Sequence, residues 1–296
     1  MFRGCTGCTD MSRCGLLTFL VLRVRKWMKK MEKTEFACWS SFQNFVRQVK
    51  YERRYILTAE VKEFLDTVIA TAREREIAIS KDHKLFRAQL GCEWKPTFDE
   101  QGQEFDAVPF GYKQDRMKPR VGQATEGRAN PMGLPVLYLA TTEETALSEV
   151  RPWIGAEASI AMFKITRDLK AVNLSIACGN SPVNHLTLAA FWNLKDASPY
   201  AKQKSVWTEI DNAFSEPVTR SDDTGDYVPT QILAELFKSA GYDAIIYKSQ
   251  FGKIGYNIAL FDVKDAEFVS SKPYKVKRIC IDFSEMGGQE VPLNKI

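Results

Sequence analysis

Histidine is nearly absent from this chain: His83 and His185 are the only two in 296 residues. A Ser-His-Asp hydrolase needs an imidazole beside its nucleophile, and a histidine-rich metal centre needs several, so both classes are all but excluded. His83 falls in the polar stretch Lys81-Asp82-His83-Lys84, expected to be a surface loop. His185 precedes the apolar run Leu186 to Trp192 and is expected to open a packed helix over 185–195. Glycine-rich phosphate loops are missing as well. Neither Gly-x-Gly-x-x-Gly nor a P-loop occurs, so a dinucleotide would not be held in the Rossmann manner. The apolar run Gly15 to Leu22 is too short to cross a bilayer and is followed at once by Arg23, Arg25 and Lys26, so no membrane association is expected.

Cysteine is sparse and unpaired in pattern. Cys5, Cys8 and Cys14 lie near the N-terminus, and Cys38, Cys92, Cys178 and Cys280 are scattered singly. An odd, dispersed set reads as reduced thiols in a cytoplasmic protein rather than a disulfide framework. Cys5-x-x-Cys8 has no second pair at ribbon spacing, so no metal is expected. Charge is equally uneven. Residues 1–30 hold seven basic side chains against Asp10 alone, leaving the rest at a net −2 against +4 for the whole chain. This near-neutral body gives no reason to expect nucleic acid. The tail at 1–30 is expected to be dispensable, with Met28 or Met31 as an alternative start.

The remainder can bury a large core, since 45% of the residues are hydrophobic. Its expected organisation is a helical segment at 31–80 followed by one α/β domain at 81–296. Ser41 is placed to cap a helix with Phe42, Phe45, Val46 and Val49 on one face. Thr58 is placed to cap another with Val61, Phe64, Leu65 and Val68 on its stripe. Strands are expected at 84–90, 135–140, 159–166, 243–249 and 255–262, with helices at 142–151 and 230–240. The last helix is signalled by Pro229 at its start and Gly241 at its stop.

The richest stretch runs from Gly127 to Glu149. Pro135 to Ala140 reads as a buried strand on which period two puts Val136, Tyr138 and Ala140 on one face. Thr141 and Glu144 have the form of a capping box, and Ala146, Leu147 and Val150 give the following helix a buried stripe ended by Pro152. Glu149 lies beside that stripe and is expected to be half-buried. Arg128, Tyr138 and Glu149 therefore sit on consecutive loop, strand and helix, from which all three can reach one cleft. Each also has an ordinary reading: a loop cation, a core tyrosine and a helix-surface acid paired with Arg151.

Four pieces in order resemble the RES domain family: Leu85-Phe86-Arg87-Ala88; Gly127-Arg128-Ala129-Asn130 through Glu149; Tyr242 to Ser249; and Asn257-Ile258-Ala259-Leu260-Phe261. Ala129 departs from the Trp of many relatives, and the stretch between about Cys178 and Arg220 looks rich in insertions. The resemblance implies an α/β (α+β) fold with a mixed twisted sheet, similar to ADP-ribosyltransferases, and a cleft in which NAD is the substrate rather than a cofactor. It implies cleavage of the nicotinamide–ribose bond by hydrolysis or phosphorolysis, or ADP-ribosyl transfer to a protein or nucleotide, with a catalytically silent binding module as the remaining alternative. Many relatives are toxins of toxin–antitoxin pairs, so an antitoxin protein is an implied partner. On this resemblance Glu149 is the catalytic carboxylate. Arg87 and Arg128 hold pyrophosphate oxygens, Tyr138 stacks on nicotinamide or ribose, and Ser249 bonds the carboxamide or positions Glu149. Asn257 is a lesser binding candidate.

Overall fold

The computed structural model describes residues 35–192, 195–216, 224–251 and 255–281. The basic tail at 1–30 lies outside the described residues, as does the expectation about its start. The chain forms an α/β fold around one eight-stranded mixed sheet.

Two helices come first, α1 (Ser41–Tyr51) and α2 (Ala59–Ala72). Thr58 caps α2 as expected, accepting from the Val61 amide. Ser41 is instead the first helical residue of α1, and its hydroxyl donates to the Cys38 carbonyl, so the cap position falls to Ser40. The strands follow as β1 (Glu76–Ile79), β2 (Lys84–Leu90), β3 (Glu93–Phe98), β4 (Glu104–Phe110), β5 (Leu137–Ala140), β6 (Glu157–Ile165), β7 (Leu169–Leu174), β8 (Ala244–Lys248), β9 (Tyr256–Leu260) and β10 (Ala266–Lys275). Between them lie α3 (Gln114–Met117), α4 (Glu143–Glu149), α5 (Leu188–Phe191), α6 (Pro199–Ser215) and α7 (Val228–Ser239). The sheet order is β1-β7-β8-β9-β5-β2-β6-β10, and β3 and β4 form a separate hairpin. Only β7 and β8 pair in parallel, which requires the long crossover carrying α5, α6 and α7.

Helices α1, α2, α6 and α7 cover one sheet face. Phe45, Val68, Trp207, Phe214 and Phe237 are buried there against Val172, Ile245 and Ala259. The described part of the expected helical segment, residues 35–80, thus shares the core of the sheet, and β1 within it is a sheet strand. Leu85, Leu137, Leu139, Phe163 and Ile258 build the core on the opposite face. Pro229 stands in the first turn of α7, and Gly241 (φ 88) turns the chain straight into β8. Among the described residues no helix is long and apolar enough to cross a membrane.

Several expectations fail for identifiable reasons. The helix expected at 185–195 is a 3-10 turn, Pro182–His185, followed by the single-turn α5, because Thr187 caps the Ala190 amide and starts a new element. His185 ends that turn and its Nε2 lies 3.2 Å from the Thr208 hydroxyl. A helix that was not expected, α6, lies between Cys178 and Arg220 and is the longest among the described residues. Its Ser198-Pro199 start is a proper cap, but Lys202, Glu209 and Asp211 interrupt its apolar face. Asp211 is buried because Arg75 donates to it at 2.7 Å while stacking on Trp207.

Glu209 is the unbalanced charge of α6. It is 8% exposed, Gln43 of α1 donates to one oxygen, and the other is buried without a partner. Burial pushes its pKa up from 4.5 to about 7, against a smaller opposing effect of Gln43. The native state therefore favours the protonated acid; that stability is complete below about pH 4.5 and is lost as the pH rises through about 7. Glu209→Gln should raise the melting temperature at pH 8, on the order of 2 kcal/mol in stability, and the gain should vanish near pH 4. Calorimetric scans of both proteins across that range check it.

Candidate active site

The site begins with a break in the sheet. Strands β2 and β5 are neighbours but share a single register pair, Phe86↔Ala140, and then diverge. On its other side β5 pairs along its whole length with β9. In-register partners point to the same face, so Phe86, Ala140, Asn257 and Tyr247 form one row across β2, β5, β9 and β8. That row floors an open cavity of about 240 Å³. One wall is α4, which packs on the sheet through Ala146, Leu147 and Val150. The cavity thus occupies the gap between α4 and the four-helix layer.

Glu149 stands at the last turn of α4. The cap of this helix is Thr142, whose hydroxyl accepts from the Thr145 amide. Thr141, expected in that role, still belongs to the strand: its amide donates to the Tyr256 carbonyl and its hydroxyl accepts from the Tyr256 amide. The helix stops early because Arg151 adopts a left-handed φ of 47. Glu149 is exposed rather than half-buried, since the cavity opens beside it. Ser249 Oγ and Asn257 Nδ2 both donate to Glu149 Oε1, each at 2.6 Å. Both donors are buried, and the Phe251 amide in turn donates to Ser249 Oγ at 3.2 Å. Among the described residues Oε2 receives no donor. One oxygen is fixed by the protein and the other is left open, on a residue that lines the cavity. This assigns Ser249 to holding Glu149, one of its two expected roles, and promotes Asn257 to an equal partner.

Arg87 enters from the broken edge. Its Nη1 lies 3.4 Å from the Tyr138 carbonyl, and its Nε is buried with no partner. No carboxylate pairs with it among the described residues. Burial lowers its pKa, with the neighbouring Tyr138 opposing, yet a guanidinium stays charged at any physiological pH. A buried cation lacking a counter-ion is costly unless a ligand supplies one.

Arg128 does not join it. Its Nη1 donates to the Phe214 carbonyl at the C-terminal end of α6, where unpaired carbonyls favour a cation, and its guanidinium lies 5.9 Å from the Tyr247 ring centroid. It supports the floor from behind and lies outside the cavity lining.

Tyr138 lines the cavity with its ring, but its hydroxyl is fully engaged. It accepts from the Ala129 amide at 2.9 Å and donates to Asn130 Oδ1 at 2.7 Å. Burial, partly offset by the Ala129 bond and Arg128, holds it far above the usual phenol range, so it remains neutral. The Gly127-to-Asn130 turn is a lock. Gly127 and Asn130 bond each other through their backbones, Asn130 Nδ2 reaches the Thr125 and Pro131 carbonyls, and Gln231 of α7 donates to the Gly127 and Asn130 carbonyls. A Cβ at Gly127 would come within 2.6 Å of the Tyr138 hydroxyl, which explains the glycine.

Reading the sequence singled out neither Asn130 nor Tyr247 as a site residue. A signal existed for Tyr247: the strand expected over 243–249 puts it two residues before Ser249 and so on the same face, although β8 itself stops at Lys248. Tyr138→Phe should keep the cavity floor but leave the Ala129 amide and Asn130 Oδ1 unpaired, costing about 1–3 kcal/mol in denaturant unfolding. Gly127→Ala should cost a similar amount, about 1–3 kcal/mol, through overpacking against the same hydroxyl.

No curated protein matches the chain in sequence. Among solved structures it is similar to one titled as the M. tuberculosis MbcT-MbcA toxin-antitoxin complex, at 14% identity and a TM-score of 0.39, covering 70% of this chain and 92% of that one. The family model described as the RES domain matches residues 102–283, a span that includes Tyr138, Glu149, Ser249 and Asn257 and begins after Arg87. The match covers more than half of the protein, and this chain belongs to the RES domain family.

Proposed function

We propose that this protein cleaves the nicotinamide–ribose bond of NAD, with Glu149 as the catalytic carboxylate and Arg87 as the principal anion-binding residue. The observation that carries this reading is the pairing, across one cavity, of a carboxylate oxygen left open to ligand and a buried guanidinium left without a counter-ion. A substrate that fits must become cationic at one point and carry an anion at another. NAD does both. Its ribose passes through an oxocarbenium-like state, as in glycoside cleavage, and its pyrophosphate is a ready partner for Arg87.

The chemistry asks little of proton transfer at the leaving group. The C–N bond breaks with its electron pair going to the pyridinium nitrogen, so nicotinamide departs neutral and needs no general acid. The negative charge of Glu149 stabilises the developing ribosyl cation. When water is the acceptor, Oε2 takes the proton that water loses as its oxygen bonds to the ribose carbon, giving ADP-ribose. Ser249 and Asn257 keep Oε1 occupied, so the rotamer is fixed before substrate arrives. Inorganic phosphate or a macromolecular hydroxyl would meet the same carboxylate, and the exposure of Glu149 leaves room for either.

We further propose that the activity is toxic in a bacterial cell and restrained by a protein antitoxin, as the family resemblance implies. Purified protein incubated with NAD should release nicotinamide, and mass spectrometry of the other product separates hydrolysis, phosphorolysis and transfer. Glu149→Gln keeps an acceptor for Ser249 and Asn257 and should fold normally, yet lose about 10²-fold or more in kcat. Intact NAD with folded wild type, phosphate and cell extract present would refute the reading. In controlled expression, wild type should deplete NAD and arrest growth while Glu149→Gln does not; equal growth with abundant wild-type protein would refute the toxin role.

A further inference from the structure

The cavity floor carries two phenols, and they are chemically unequal. Tyr138 has spent both the donor and an acceptor site of its hydroxyl on the Gly127-to-Asn130 turn. Tyr247 has spent neither. Its residue is 6% exposed, its ring lines the cavity between Phe214 and Arg128, and its hydroxyl makes no hydrogen bond among the described residues. That hydroxyl is not sealed from solvent by the protein, so it keeps access to whatever enters the cavity its residue lines. Register places this one next to the carboxylate system. Tyr247 is the direct cross-strand partner of Asn257, whose amide holds Glu149 Oε1. A phenol that stays protonated, and therefore offers a donor, thus lines the same cavity as a carboxylate that can only accept.

The group that satisfies both at once is an alcohol, which accepts from one and donates to the other. Resting on the reading of this cleft as a site for NAD, we propose that Tyr247 is a substrate-binding residue whose hydroxyl donates to a hydroxyl of the ribose attached to nicotinamide, with Glu149 Oε2 accepting from that same ribose hydroxyl. The ribose is then gripped from both sides at the sugar whose bond is cleaved. Tyr138 supplies an apolar floor and holds the neighbouring loop, so the two tyrosines differ in role although they stand in adjacent rows of one sheet face.

Tyr247→Phe removes only the free oxygen. Nicotinamide release should fall about tenfold in kcat/KM, the size of one lost hydrogen bond to substrate. The melting temperature should stay level or rise, because no protein partner is orphaned. NAD analogues lacking either the 2- or the 3-hydroxyl of the nicotinamide ribose then locate the contact. With one of the two, wild type and Tyr247→Phe should become equal. An unchanged kcat/KM for NAD in Tyr247→Phe would overturn the proposal while leaving NAD cleavage intact. The same holds if the difference persists undiminished on both deoxy analogues, or if the melting temperature drops, which would reveal a structural partner. Absence of nicotinamide release by folded wild type would instead remove the NAD reading and this proposal together.

Discussion

Everything at the candidate site depends on a pairing that is made once and then abandoned. Strands β2 and β5 meet at Phe86 and Ala140 and separate beyond them. A continuous ladder there would have covered the Tyr138 carbonyl with a backbone amide and left no entrance for Arg87. The separation lets a long cationic side chain from one strand approach a carbonyl of the next, and opens the sheet where α4 ends. The strands on either side are fully paired, β2 with β6 and β5 with β9, so the gap is held by rigid elements rather than by loops. Such a frame keeps donors and charges in place at no reorganisation cost when the substrate reacts.

The polar groups of the cavity divide into those satisfied by the protein and those left to a ligand. Ser249, Asn257, Asn130 and the Tyr138 hydroxyl are all bonded internally. Glu149 Oε2, Arg87 Nε and the Tyr247 hydroxyl are not. Of these, Arg87 Nε is sealed from solvent and costs stability in the empty protein, whereas the exposed Glu149 and the Tyr247 hydroxyl keep access to water. Arg128 shows why a residue type alone does not determine membership in such a set. It lies in the same motif as Asn130 and is half-buried near the same tyrosine, but the end of α6 claims it.

What the sequence made legible followed from periodicity and punctuation. Helices α2 and α7 were readable because Thr58, Pro229 and Gly241 mark their ends and their stripes are uninterrupted. Tyr138 was assigned its face correctly because strand alternation is strict. Arg87, Tyr138, Glu149, Ser249 and Asn257, which the fold brings together, were singled out through ordered motif pieces, each too weak alone. What stayed hidden depended on tertiary partners. Helix α6 was missed because Asp211 and Glu209 break its apolar face, and the salt bridge that lets Asp211 be buried comes from Arg75, far earlier in the chain. Thr141 and Thr142 are equivalent as text; only the ladder to Tyr256 decides which one caps α4. Which floor hydroxyl is left unbonded could not be chosen from spacing either, since the lock on Tyr138 forms through space.

The floor row also has a consequence for biosynthesis. Phe86, Ala140, Asn257 and Tyr247 come from four strands, and the two donors that orient Glu149 follow it by 100 and 108 residues. Contacts so distant in sequence close late, because loop-closure entropy must be met before they form. A ribosome-bound chain that has exposed α4 but not yet Ser249 and β9 holds a carboxylate with neither of these donors. The oriented carboxylate then forms only with the last strands, and a truncated or stalled product ending before Ser249 would lack it.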